Sequence, residues 1–424
     1  MTNDAQTGTA QSPTDRFRSR LLGPTLESAR EIPFYARHWE GRELSLEQLP
    51  TVTKKQLLDD LASTLRPGGV PANVGHSTGT TGRPFFRVRG REEIKAYSEY
   101  LRSVRTATAA HRGRPVPPML QISGAPITIH GSVLPVETDD MRLAVDLFST
   151  EGLAASVDLL TSPSLALLGE GFQRVLSASP GGAILLTQEL IQRGTPTREL
   201  GIEVISVYNS ALLPGQRALL REHWEARLVE RFSMSEVLGG ATLCYDCGHH
   251  HLDPVVVAEV LRTDGDEPAT DVGELVLTEL HPFSQLQPMI RYRTGDIVRR
   301  AQSPCLPNEL TFDYVGRARA SVLCDGELLL GEIEVLEAVE DVPGLAHAPV
   351  GEGRAPVGAP LISLRPETRG RELTAIEARV EAAADLDPAD GVRNLLGEVR
   401  ERLTQLLDGR TKEGISVRVV LTAS

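Results

Sequence analysis

The chain has 424 residues, more than one hydrophobic core usually serves, so we expect two domains of unequal size. Hydrophobic residues make up 41% of the sequence and charged residues 24%, as in soluble globular proteins. A formal net charge of −13, without a basic stripe or a run of about 18 apolar residues, argues against nucleic-acid and membrane binding and predicts a cytoplasmic protein.

The N-terminal part begins with a polar stretch. Residues 1–20 contain few apolar anchors, so we expect a loose leader there. Helical apolar spacing follows over residues 21–60, and Thr53 is typical of the residue that caps a helix starting at Lys54. A long helix is predicted over residues 92–110.

Between these two helical regions, hydroxyl residues alternate with glycines. Glycine lets the backbone approach a ligand closely, and hydroxyls donate to phosphate oxygens, so this segment can bind a polyphosphate. It lacks the Gly-Lys-Ser/Thr ending of a Walker A loop, and its composition is also typical of a surface turn. The segment consists of Ser77, Thr78, Gly79, Thr80, Thr81 and Gly82, and Arg83 follows it.

Strands and helices alternate after residue 119, which predicts an α/β fold with parallel sheets covered by helices. A β-rich section comes next, and a break near Gly316-Arg317 separates a large domain, 21–315, from a small α+β domain, 316–424. The predicted strands are 119–123, 183–186, 203–208, 255–261, 273–280, 297–299, 321–324, 359–364 and 415–421. The predicted helices are 154–160, 172–178, 188–192, 216–224, 332–339, 373–384 and 390–407.

Further motifs lie within and at the end of the predicted large domain. They are Phe232-Ser233-Met234-Ser235-Glu236, then Tyr292-Arg293-Thr294-Gly295-Asp296, and then Gly316-Arg317. Together, and in this order after the Thr-rich loop, they resemble the adenylate-forming superfamily of acyl-CoA synthetases and adenylation domains. The phenylacetate-CoA ligase branch is the most similar, since residues 49–55 also resemble its lead-in before the phosphate loop. The resemblance covers nearly the whole chain and implies a large ATP- and acyl-binding domain followed by a small mobile one.

The resemblance also implies ATP and Mg²⁺ as cofactors. Glu236 corresponds to a carboxylate that helps to hold Mg²⁺, and Asp296 to one that accepts both ribose hydroxyls. Phe232, where tyrosine is common, is implied to stack on adenine. The implied catalytic residues are Arg83, Glu236 and Arg317. The implied nucleotide-binding residues are Ser77, Thr78, Gly79, Thr80, Thr81, Gly82, Phe232, Ser233, Met234, Ser235 and Asp296. Walls for the acyl pocket are expected by analogy at residues 121–131 and 208–213.

Four residues form a candidate zinc site. Cys244 and Cys247 have the spacing of a zinc knuckle, and some phenylacetate-CoA ligase relatives carry a matching pattern that adds His251 and Cys305. Four such ligands leave no position for water, which indicates a structural zinc ion. A redox-active cysteine pair and unliganded cysteines are the alternatives, but a thioredoxin-like pair requires a strand-to-helix context that the histidine run does not suggest.

Two features depart from the family pattern. Ala318-Arg319-Ala320 follows Gly316-Arg317 where the family has an acidic hinge residue. The sequence ends at Ser424, directly after the strand that in the family precedes a catalytic lysine, and Lys412 lies before that strand. We therefore expect adenylation to depend on the Thr-rich loop and Arg83 rather than on the small domain.

The resemblance implies a ligase that activates a small aromatic or acyl carboxylate as its AMP ester. The acceptor would be CoA, a carrier-protein thiol or an amine, and a homodimer is compatible with it. A second interpretation is activation of nitrite, as in adenylating diazotases, for reaction with an aryl amine. The third is a catalytically silent nucleotide-binding or partner-binding protein, against which the presence of Glu236, Asp296 and Arg317 argues.

Overall fold

The structure is a computed structural model. It describes residues 12–76, 84–111, 118–124, 141–168, 170–348, 358–369, 372–410 and 415–422. The predicted phosphate loop, from Ser77 to Arg83, lies outside the described residues, as do Lys412 and most of the first predicted wall of the acyl pocket.

The first helix begins inside the segment that we expected to be a loose leader. It starts at Pro13, where the Ser12 hydroxyl accepts a hydrogen bond from the Asp15 amide at 2.9 Å. The buried Arg18 guanidinium donates to the carbonyl of Asp253 at 3.2 Å, which fastens the helix to the large domain. The helices are α1 (Pro13–Arg30), α2 (Pro33–His38), α3 (Lys54–Asp59), α4 (Arg91–His111), α5 (Thr150–Leu160), α6 (Pro163–Leu168), α7 (Pro180–Gln192), α8 (Pro214–His223), α9 (Glu332–Val339) and α10 (Asp390–Leu407).

An 11-stranded mixed sheet runs through the large domain, in the order β10-β11-β12-β13-β9-β8-β7-β6-β5-β3-β4. All pairs from β7 to β4 are parallel, and all pairs from β10 to β7 are antiparallel. The sheet strands are β3 (Met119–Ser123), β4 (Met141–Ala144), β5 (Gln173–Ala178), β6 (Val204–Val207), β7 (Arg227–Ser233), β8 (Gly240–Leu243), β9 (His250–Leu252), β10 (Val256–Leu261), β11 (Val272–Glu279), β12 (Tyr292–Ala301) and β13 (Thr311–Arg317). A separate hairpin pairs β1 (Pro71–His76) with β2 (Phe86–Gly90). The predicted α/β fold with a β-rich section is confirmed.

A smaller unit with its own hydrophobic core follows β13. Its core includes Val322, Val339, Leu395 and Val399, which are fully buried or nearly so. Helix α10 packs against its three-stranded sheet. The strands are β14 (Val322–Cys324), β15 (Glu327–Leu330), β16 (Ile362–Arg369), β17 (Glu372–Val380) and β18 (Ser416–Leu421). The small α+β domain is confirmed.

Three predicted elements are wrong. Residues 172–178, predicted as a helix, form β5, because a strand buried on both faces shows no alternation that separates it from a helix. Residues 183–186, predicted as a strand, lie inside α7, whose apolar residues are buried almost all round. The predicted helix 373–384 is β17, which pairs with both β16 and β18.

Several contacts join the small unit to the large one. The Glu340 carboxylate accepts hydrogen bonds from the Gly215 amide at 3.0 and 3.1 Å, in the first turn of α8. A side chain at Gly215 would collide with this carboxylate, since a Cβ would lie 2.9 Å from its oxygen. Another contact joins Arg299 of β12 to Glu334 of α9 at 3.2 Å.

None of the described helices combines the length and the apolar character that crossing a bilayer requires.

Candidate functional site

Two of the predicted site residues, Asp296 and Arg317, lie on paired strands. Asp296 of β12 is directly opposite Arg317 of β13 in the sheet register. Gly295 lies within β12 directly before Asp296 and has a φ of +73°, a conformation that residues with a side chain rarely adopt. This local geometry directs the carboxylate toward Arg317.

Asp296 forms a bidentate pair with Arg317. The Arg317 Nε lies 3.1 Å from Oδ1 of Asp296, and Nη1 donates to Oδ2 at 3.2 Å. Tyr314 also donates to Oδ1, at 3.3 Å. Asp296 is only 1% exposed, and this burial raises the pKa of its carboxyl to about 6, although the charge of Arg317 opposes the rise.

An open cleft of about 590 Å³ contains this pair. Phe232, at the end of β7, forms one wall, and its ring packs against those of Phe312 and Tyr314 with centroids 5.7 and 5.6 Å apart. The loop after β6 forms another wall, where Asn209 has a left-handed φ of +77°. An aromatic face beside a buried carboxylate suits a nucleoside, because the ring can stack on a base while the carboxylate accepts hydroxyl groups.

Glu236 lies deep in the protein and is paired with a lysine. Lys54, the first residue of α3, places its Nζ 3.2 Å from Oε1 of Glu236. The Glu236 carbonyl accepts a hydrogen bond from Nε of the buried Arg87 at 2.8 Å. Both its side chain and its backbone are therefore held in place.

A buried ion-pair network supports this region. Glu279 is fully buried and pairs with Arg87 at 2.5 Å and with Arg89 at 3.3 Å. Burial alone would raise the pKa of Glu279, but the two guanidinium groups, together with hydrogen bonds from the Leu238 amide and the Ser284 hydroxyl, lower that pKa. The Glu279 carboxylate also accepts from the Leu238 amide at 2.6 Å. Glu279 thus joins the strand that follows the Thr-rich loop to the segment that carries Glu236.

The four candidate zinc ligands come together. The ligand atoms of Cys244, Cys247, His251 and Cys305 all lie within 4.8 Å of one another. The Cys247 Sγ lies 3.2 Å from His251 Nε2. Burial opposes ionisation of Cys247, but hydrogen bonds from Ser303, the His249 backbone and His251 outweigh it and lower its pKa to about 6. Three sulfur atoms and one imidazole in this arrangement fit Zn²⁺.

Residues around this cluster position its members. Ser303 is buried, and its hydroxyl lies 3.2 Å from both His251 Nε2 and Cys247 Sγ, while it accepts from the Cys305 amide at 3.1 Å. His249 is directed elsewhere, with Nδ1 2.7 Å from Asp313 Oδ1. The structure therefore brings the predicted His251 to the sulfur atoms.

Three hydroxyl groups meet near the carboxyl ends of the parallel strands. Tyr208, after β6, forms side-chain hydrogen bonds with Ser123 of β3 and Ser177 of β5. Burial raises the pKa of the Tyr208 phenol. Ligands of α/β proteins bind outside this edge of the sheet, and residues 208–213 were predicted as an acyl-pocket wall.

The sequence prediction and the structure agree on part of the site. Phe232, Ser233, Asp296 and Arg317 line one cleft, whereas Met234 packs against the hydrophobic core and Ser235 is exposed. Sequence reasoning missed Lys54, Arg87, Glu279 and Tyr314. Lys54 lay within the recognised lead-in, so that segment was the signal that could have found it, whereas no motif marked Glu279.

The chain is similar in sequence to a CoA ligase. It is 25% identical over 292 residues to the phenylacetate-coenzyme A ligase of Thermus thermophilus, a match that covers 65% of the chain and 62% of that relative. The chain therefore spans less than two thirds of the length of the curated relative that it matches. No family model matches the chain.

Solved structures share the fold. An open conformation of 2-hydroxyisobutyryl-CoA ligase, in complex with 2-HIB-AMP and CoA, superposes with a TM-score of 0.64 at 19% identity, over 96% of this chain and 87% of that one. The amide bond synthetase of Marinactinospora thermotolerans gives 0.54 at 15% identity, over 83% of this chain and 66% of that one. The fold is that of the adenylate-forming enzymes, and the sequence resembles their phenylacetate-CoA ligase branch, as the motifs predicted.

Proposed function

We propose that this protein is an AMP-forming ligase that uses ATP to activate a small aromatic or acyl carboxylate. The observation that carries the proposal is the buried Asp296, paired with Arg317 in a cleft walled by Phe232, on a fold that 2-hydroxyisobutyryl-CoA ligase shares. A carboxylate with two oxygens matches the vicinal hydroxyls of ribose, and Phe232 offers a face to adenine.

In the proposed reaction, a carboxylate oxygen of the substrate bonds to the α-phosphorus of ATP. The bond from that phosphorus to the bridging oxygen breaks, and pyrophosphate leaves with the electron pair. Glu236 would hold Mg²⁺, which offsets phosphate charge when it is bound, because hard cations prefer carboxylate oxygen. The Thr-rich loop from Ser77 to Gly82 and Arg83 are proposed to bind the phosphates.

The substrate pocket is proposed to lie at the hydroxyl cluster of Ser123, Ser177 and Tyr208. Hydroxyl groups that line a buried pocket discriminate strongly in favour of a substrate that can pair with them. We therefore favour an acid that carries a polar substituent. The acceptor of the acyl group would be CoA, a carrier thiol or an amine, and similarity to both a CoA ligase and an amide bond synthetase is compatible with each.

We also propose a structural zinc ion on Cys244, Cys247, His251 and Cys305. It would tie the turn before β9 to the loop between β12 and β13. In the sheet, the adjoining strands β9 and β13 pair at Thr311–His251 and Phe312–His250. The binding free energy of such an ion is part of the folding free energy.

Exchange of labelled pyrophosphate into ATP tests the proposed activity. The panel should contain aromatic acids with and without hydroxyl substituents, short acyl acids, and nitrite. Exchange that requires a carboxylic acid supports the proposal, exchange that requires nitrite supports the diazotase-like alternative, and no exchange with any of them supports a catalytically silent protein.

The nucleotide assignment predicts that Asp296→Ala weakens ATP binding by well over tenfold. The change removes a charged acceptor, and a hydrogen bond to a charged group contributes roughly 1.5 to 3 kcal/mol. Calorimetry in excess Mg²⁺ measures the effect, and Asp325→Ala, outside the cleft, is the control. Equal affinity in the parent and in Asp296→Ala would contradict the assignment.

A further inference from the structure

Lys54 is held against the strand that carries the nucleotide residues. The Val52 amide donates to the Arg291 carbonyl at 2.9 Å, and the Arg293 amide donates to the Val52 carbonyl at 2.8 Å. Val52 therefore pairs in parallel with Tyr292 at the start of β12. Two residues later, Lys54 has little freedom to move its Cα away from this strand.

The start of α3 is fixed as well. Thr53 and Gln56 form a capping box, in which the Thr53 hydroxyl accepts from the Gln56 amide at 3.3 Å and Gln56 Oε1 accepts from the Thr53 amide at 2.8 Å. A capping box satisfies amides at the helix start and so defines where the helix begins. The Lys54 side chain leaves from this defined position.

The Lys54 ammonium is partly buried and forms an ion pair with Glu236, a predicted site residue. Its side chain is 20% exposed and lies 3.2 Å from Glu236, whose side chain is 12% exposed. The adjacent Lys55 is different, because its side chain is 85% exposed and pairs with Asp59 of the same helix at 2.5 Å. Lys54 is therefore directed at Glu236, whereas Lys55 is an ordinary surface lysine.

We propose that Lys54 is a further catalytic residue, which contacts a phosphate group of ATP. This inference rests on the proposed function. Phosphate oxygens near Glu236 would lie within reach of a cation that already contacts that carboxylate, and the flexible lysine stem lets the ammonium turn from one oxygen to another. The Lys54 ammonium would stabilise the negative charge that moves to pyrophosphate as the bond to the α-phosphorus breaks.

A merely structural role would give a different result. If Lys54 only neutralised Glu236, its loss would affect folding or all ligands alike. If its ammonium only occupied the position of Mg²⁺, its loss would strengthen the binding of the metal and of ATP. Contact with phosphate predicts a loss that depends on the phosphates of the ligand.

Calorimetry with two probes separates these roles. The titrants are ATP in excess Mg²⁺ and adenosine, and the proteins are the parent, Lys54→Met, Lys54→Arg and Lys55→Met. We expect Lys54→Met to weaken ATP by roughly tenfold to a hundredfold, as for loss of a hydrogen bond between charged groups, with adenosine unchanged. Lys54→Arg should recover most of the affinity, and Lys55→Met should match the parent.

Unchanged or tighter ATP binding by Lys54→Met would overturn the inference, as would an equal loss of adenosine affinity. Thermal unfolding of each variant identifies a loss of affinity that comes from misfolding. In that case Lys54→Arg, which keeps the charge on Glu236 paired, is compared with the parent through the ratio of its ATP affinity to its adenosine affinity. If the parent protein binds neither probe, the proposed function fails; if the parent binds ATP and Lys54→Met binds it equally well, only the role of Lys54 fails.

Discussion

Asp296, the proposed ribose-binding residue, is also a source of instability. Its carboxylate is almost wholly buried, and its charged form is stabilised by Arg317, Thr294 and Tyr314. Burial raises its pKa from the ordinary value of 3.8 to about 6. Because the folded chain binds this proton more tightly than the unfolded chain, the contribution to stability is present below pH 4 and is lost as the pH rises through 6.

At this scale we predict a pH dependence that Asp296→Asn removes. Relative to that variant, the parent should lose roughly 3 kcal/mol of unfolding free energy between pH 4 and pH 7, which corresponds to about two pKa units. Urea unfolding at pH 4, 5, 6 and 7 measures the difference. Parallel stability curves for the two proteins would contradict the assigned burial of the charge.

At the scale of elements, the cysteine and histidine cluster brings together the turn before β9 and the loop after β12. We predict one zinc ion per chain in freshly purified protein, and we expect Cys247→Ser to lose the metal and to unfold at a lower temperature, since metal binding and folding are coupled. Cys324→Ser is the matched control, because Cys324 lies outside the cluster. Elemental analysis and thermal unfolding give both readouts; a parent protein with well under one zinc per chain would refute the site.

The elements also show what sequence reasoning could and could not reach. Amphipathic helices such as α9 and α10 were predicted with their observed bounds, because one apolar face and one polar face leave a clear period. The strand β5 was predicted as a helix, and part of the helix α7 was predicted as a strand. Both elements are buried on nearly every side, and this burial removes the regular alternation of apolar and polar residues. The same holds for the site: Asp296 belongs to a recognisable motif, whereas Glu279 acquires its role only through Arg87 and Arg89, which are far away in sequence.

At the scale of the whole molecule, one of the contacts between the two domains lies at the start of helix α8. Helix α8 has no side-chain cap at Leu213, and the Glu340 carboxylate from the small domain accepts from its Gly215 amide instead. We predict that Glu340→Ala loosens the small domain, with a cost of about 0.5 to 2 kcal/mol, as for loss of a helix cap. Faster limited proteolysis near residues 317–321 would report this, and Asp341→Ala, which breaks a pair with Arg402 inside the small domain, is the control.

The arrangement at Gly215 has a consequence for how domain motion can be followed. Its amide proton is protected by a carboxylate of the other domain and not by the helix to which it belongs. Whenever the small domain departs, that proton becomes available to solvent while α8 remains intact. The hydrogen-exchange rate of this single amide, compared with those deeper in α8, therefore measures the fraction of time that the two domains spend apart, in the unlabelled protein and at equilibrium.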